Sequence, residues 1–171
     1  MPIPESLSAD LSPLKLARSV LGGGRGSRLT RRLRYERGLV YSVQAHLDRY
    51  PEAACLTVTT SCGTEAAQEV VDIVLQELRR LAEVPVSSEE LLGTQERLLH
   101  GMPLELQTVQ QLVQFHRYHE VQRLDEGLDS WSESIVAATS SSIQSSMSSL
   151  LAVSPPYVSL AGDIPAEPLK F

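Results

Sequence analysis

Arg34 and Tyr41 stand seven residues apart on either side of Gly38, within the stretch LGGGRGSRLTRRLRYERGLVYSV, Leu21 to Val43. A guanidinium is a fixed cation with a planar fork of donors, and a phenol adds one more donor, so together they could hold a peptide carbonyl or its oxyanion. The pair reads as a binding arrangement without a catalytic engine. A plainer reading stays open: Tyr41 shares the apolar face of a strand, and Arg34 pairs with Glu36 or another surface carboxylate. The glycine run Gly22, Gly23 and Gly24, followed by Arg25, Gly26 and Ser27, matches neither GxGxxG nor the phosphate loop. A helix N-terminus beside Arg25 and Arg28 could hold an anion, although a tight corner between packed helices is the commoner use.

No other cluster rises to a site. His116, His119 and Glu120 in HRYHE share a helix, but the histidines are three apart and the acid follows them, unlike HxxEH or HExxH. His46 and His100 are isolated. Cys55 and Cys62 have no base near them in sequence, and seven strand steps would hold them roughly 23 Å apart, too far for a disulfide. Residues 25 to 37 carry six arginines against Glu36, net +5, which leaves −11 on the remainder of a chain whose total is −6. Such a basic edge can mark an anion or nucleic-acid site, yet it lacks interleaved aromatics and the acidic body would repel a phosphate backbone.

The elements that must position these residues follow from periodicity. Leu14, Leu16, Ala17, Val20 and Leu21 make a first helix stopped by Gly22 to Gly24, and Ser27 is a candidate N-cap for the next. Residues 39 to 49 alternate strictly, placing Leu39, Tyr41, Val43, Ala45 and Leu47 on one face. Ala54, Leu56, Val58 and Thr60 continue the period after a turn at Tyr50, Pro51 and Glu52, so a hairpin is expected. From Thr64, read as an N-cap, the period changes to that of a helix with the stripe Ala67, Val70, Val71, Val74, Leu78 and Leu81. Capping boxes are read at Ser87 with Glu90, Thr108 with Gln111 and Ser130 with Glu133. Gly101 and Pro103 are expected to kink or end the helix that Ser87 starts. The serine-rich 140–149 keeps Ile143, Met147, Leu150 and Leu151 at helical spacing, and Tyr157 to Ala161 is read as a short final strand.

A length of 171 residues, 42% hydrophobic and 21% charged, fits one domain. MPIPESLSAD shows neither a charged n-region nor an apolar core, and no apolar run approaches a membrane span. Compartment stays undetermined.

LGGGRGSRLTRRLRYERGLVYSV, the hairpin, the helices from Thr64 and Ser88, and the closing YVSLAGD together resemble the C-terminal type of domain of the M16 metallopeptidases, the insulinase, pitrilysin and mitochondrial processing peptidase family. The resemblance covers about residues 11 to 163, with 1–10 a disordered N-terminus and 164–171 a loose tail. It implies an α+β fold, a two-layer sandwich of an antiparallel sheet with helices on one face, lacking the family's first strand. In that family a zinc-bearing half carries HxxEH, and the facing half supplies an Arg and a Tyr that hold the substrate near the metal. The resemblance therefore implies substrate binding by Arg34 and Tyr41 beside a loop of Gly22, Gly23 and Gly24, and no catalytic or metal-binding residue in this chain. The partners implied are a peptide and a zinc-bearing N-terminal half or subunit; a homo-oligomer stays open, and neither nucleic acid nor membrane is expected. An inactive relative used for assembly or peptide binding is the alternative.

Overall fold

The structure is a computed structural model that describes residues 1–4, 10–50, 53–121, 127–163 and 169. Its elements run β1 (Pro2–Ile3), α1 (Ser12–Gly22), the π-helical α2 (Thr30–Glu36), β2 (Val40–Tyr50), β3 (Ala53–Cys62), a 3-10 turn (Thr64–Ala66), α3 (Ala67–Glu83), α4 (Ser88–Glu105), α5 (Val109–Val121), α6 (Leu128–Ala137) and α7 (Ser140–Val153). The strands form an antiparallel sheet ordered β1-β3-β2. Val40, Val43, Ala45, Ala54 and Leu56 turn their side chains into the core, where α1 packs on β2 and α3 on β3. The opposite face, with Ser42, Gln44 and His46, is exposed, so the helices cover one side of the sheet as the α+β reading required. Behind that layer α7 buries Ile143, Met147 and Leu150 against α3 and α1. The serine-rich run is therefore a core helix with a polar face.

Several boundaries differ from the sequence reading, each for a physical reason. Residues 1–10 are not a wholly disordered arm: Met1 exchanges hydrogen bonds with Leu56, donating at 2.8 Å and accepting at 2.9 Å, and Ile3 is buried. A free sheet edge thus recruits a two-residue strand where none was expected, while 5–9 and 164–168 lie outside the described residues. Tyr157 to Ala161 joins no ladder among the described residues. Thr64 does not cap; its hydroxyl donates to the Asp163 carbonyl at 3.0 Å. Ser27 likewise donates its hydroxyl, to Gly24 O at 2.7 Å. Ser130 and Glu133 fall inside α6, which begins after Gly127, and α4 runs through Gly101 and Pro103 to Glu105. The Thr108–Gln111 box forms in both directions, at 3.2 and 3.0 Å. The hairpin closes with Tyr50 opposite Ala53, and its turn residues 51–52 lie outside the described residues.

Candidate functional site

Two local irregularities bring Arg34 to Tyr41. In α2 the winding is one residue wider per turn than an α-helix, as in Arg37 N–H to Arg32 O at 3.1 Å, a form that recurs at functional sites. The helix then closes through Leu39 N–H to Leu33 O at 2.8 Å, which requires Gly38 at φ 63°, a left-handed conformation natural to glycine. The chain enters β2 through a bulge between Val40 and Val43, so both valines point inward with Tyr41 and Ser42 both turned out. Tyr41 is consequently 83% exposed and does not share the apolar face. The Arg34 guanidinium lies 5.0 Å from the centre of the Tyr41 ring and 5.5 Å from that of Tyr35, a cation–π stack.

Arg34 does not pair with Glu36, because Arg31 takes that carboxylate at 3.4 Å, and no ion pair engages Arg34 among the described residues. Arg34 also lines an open groove of about 390 Å³ with Gly22, Gly23, Gly24, Arg25 and the strand backbone at Ser42 to His46. The glycine run is a close-packing device there: a Cβ on Gly22 would come within 2.6 Å of Ala45 N, and one on Gly23 within 2.6 Å of Ser19 Cα. Only bare backbone lets the end of α1 lie on β2.

Besides Arg31, three more arginines of the basic edge meet carboxylates. Arg28 holds Glu90 with both ends of its fork, at 2.9 and 2.6 Å, and sits 3.7 Å from Glu77; Arg32 reaches Glu77 at 2.7 Å and Gln76 at 2.9 Å; Arg37 pairs with Glu69. The hydrogen bonds to Glu90 raise the Arg28 pKa above the ordinary arginine value against the opposing effect of burial. Glu77 is fully buried and sits on the core side of α3, an acid inside an apolar stripe. That position, seven residues after Val70, is the sequence signal that could have revealed the network. The Ser87 box is correspondingly half-made: Ser87 Oγ caps Glu90 N–H at 3.2 Å, while the Glu90 carboxylate belongs to Arg28.

The remaining candidates stay apart. His46 is exposed at the groove, His100 is exposed, and His116 meets Phe115 edge-on at 5.6 Å; the His119 side chain lies outside the described residues. Cys55 and Cys62 are both free thiols. Among the described residues no group of three or more His, Cys, Asp or Glu side chains could hold a metal ion. Among the same residues no helix is long and apolar enough to cross a membrane.

The fold and this basic-helix-to-strand site define the class. Residues 1–98 match the family model described as the peptidase M16 inactive domain, and the chain belongs to that family. It is 29% identical over 90 residues to the uncharacterized zinc protease YmxG of Bacillus subtilis, a match covering 53% of this chain and 22% of that protein. The chain thus spans about a fifth of the length of the curated relatives it matches. Among solved structures, the peptidase M16 inactive domain from Pseudomonas fluorescens superposes with a TM-score of 0.71 at 19% identity, over 82% of this chain and 34% of that one. A protease from Helicobacter pylori superposes at 0.73 and 18% identity, over 86% and 36%. These likenesses show the fold, within larger polypeptides.

Proposed function

We propose that this chain is the substrate-cradling, zinc-free domain of an M16-type peptidase, working with an HxxEH-bearing half or subunit in which the metal chemistry resides. The observation that carries the reading is the Arg34–Tyr41 stack: a cation unclaimed by any carboxylate among the described residues, held against an exposed phenol at the rim of a groove. In this reading Arg34 directs its N–H fork at the carbonyl oxygen of the peptide next to the scissile bond, and the Tyr41 hydroxyl donates to the same backbone. The start of β2 from Leu39 lies beside the substrate, and Gly22 to Gly24 shape the corner that admits it. Both groups stabilise charge that develops on oxygen; neither moves a proton from water.

Arg34→Ala and Tyr41→Phe in the enzyme completed with its zinc-bearing half test this. Loss of one such donor costs roughly 10²-fold in turnover, and because Tyr41 is exposed the melting temperature of the domain is expected to hold. Unchanged cleavage rates with either variant would overturn the reading and favour an assembly module. Intact mass and zinc content of the endogenous polypeptide, captured with an antibody to this domain, identify whether the partner half lies on the same chain.

A further inference from the structure

The basic helix α2 contributes to two hollows of different character. In one, of about 410 Å³, Arg28, Arg31, Arg80 and Arg97 share the lining with Glu89 and Glu90, so acids stand among the cations. The other is the groove beside β2, where Arg18, Arg25 and Arg34 are joined by His46 and by no Asp or Glu among the described residues. A concave surface lined by one sign of charge focuses its field and concentrates the opposite charge.

The three guanidinium groups come from three places, α1, the turn after it, and α2. Arg25 is held at the corner of that turn: Gly24 O accepts from Ser27 N–H at 3.1 Å and from Ser27 Oγ at 2.7 Å. Gly24 itself takes φ 149°, a conformation that residues with a Cβ rarely adopt. The Arg25 side chain is exposed, and no ion pair or hydrogen bond engages it among the described residues. Arg18, half-buried near the end of α1, supplies a further cation to the same groove.

We propose that this groove selects peptides that carry an aspartate or glutamate side chain next to the segment held by Arg34. The inference deepens the substrate-cradling reading, on which it rests for taking the ligand to be a peptide substrate. In that reading Arg34 and Tyr41 are committed to the main chain, which leaves Arg18 and Arg25 to meet a side chain. A planar guanidinium takes a carboxylate through two parallel N–H bonds. The amides Asn and Gln have the same shape but one acceptor oxygen and no charge, so the groove discriminates the acid from its amide. Beyond the groove the free positive charge ends, because Glu69, Glu77 and Glu90 claim the arginines there. A single acidic side chain fits that footprint, and a long polyanion, which needs many phosphate contacts, does not.

Two end-capped peptides of serine and alanine, identical except for a central glutamate in one and glutamine in the other, test this in two assays. In calorimetric titration of the 171-residue chain at low salt, the glutamate peptide is expected to bind about fivefold tighter. The advantage is expected to shrink as salt is added and to vanish in Arg25→Glu. Arg31→Ala, which removes a guanidinium outside the groove, is expected to leave it intact. In the enzyme completed with its zinc-bearing half, the same preference is expected in kcat/KM for the two peptides. Equal affinity for both peptides, or binding of neither, would overturn the proposal, as would a preference that survives Arg25→Glu. Displacement of the glutamate peptide by millimolar inorganic phosphate would also overturn it, by making a small free anion the occupant. An Arg25-dependent preference in binding, with cleavage unchanged in Arg34→Ala and Tyr41→Phe, would uphold the acidic-peptide site while removing the role of the stack in cleavage.

Discussion

Arg34 differs from its neighbours in what it lacks. Arg28, Arg31, Arg32 and Arg37 each face a named carboxylate, whereas Arg34 rests on two aromatic rings and keeps its donors for something else. The spacing of Arg34 and Tyr41 was legible in the sequence; their contact was not, because it depends on the wide turn of α2 and the bulge at the start of β2. Glu77 shows the converse. It is fully buried and is the common counter-ion of Arg28 and Arg32, partners 49 and 45 residues earlier in the chain, which no local pattern reports. Removing it leaves Arg32 without its carboxylate and Arg28 with Glu90 alone, so Glu77→Ala is expected to cost about 3 kcal/mol. Glu36→Ala, which breaks only the exposed pair with Arg31, is expected to cost less than about 1 kcal/mol. Chemical denaturation of the two variants side by side checks the contrast; equal losses would mean that the buried network is not what holds α2 to α3.

Elements were most legible where a long apolar stripe defined them. Thr139 and Ser142 form a reciprocal capping box, Ser142 N–H to Thr139 Oγ1 at 3.1 Å and Thr139 N–H to Ser142 Oγ at 2.9 Å, at the head of α7. That box, with Ile143, Met147 and Leu150 behind it, explains why a run of serines is helical. Thr139→Ala is expected to lower stability by about 1 kcal/mol, read as a shift of the denaturation midpoint at constant slope; a change in slope instead would mean that α7 had come away from the core. Periodicity failed where one residue was inserted into a repeat. Strict alternation from Leu39 put Tyr41 inside, and the bulge moved it out. It failed again at Tyr157 to Ala161, which joins no ladder among the described residues.

For the whole molecule, the acidic body with one basic edge looked like a candidate surface for nucleic acid. Folding brings acids of α3 and α4 onto that edge, with Glu69, Glu77 and Glu90 all drawn to arginines of the 25–37 segment. A duplex DNA probe at low salt is therefore expected to show no salt-dependent binding; retention that falls steeply with salt and requires Arg31 would reverse this. The sequence by itself determined the helices and hairpin, the side of the sheet that is buried, and the family, because periodicity, glycine stops and the motif from Leu21 to Val43 are local properties of the chain. Only the tertiary structure decided that Arg34 meets Tyr41, that Arg28, Arg31, Arg32 and Arg37 meet carboxylates, and that Met1 to Ile3 join the sheet. Each of those depends on groups far apart in sequence, and a contact of that kind exists only once packing has fixed where every element ends.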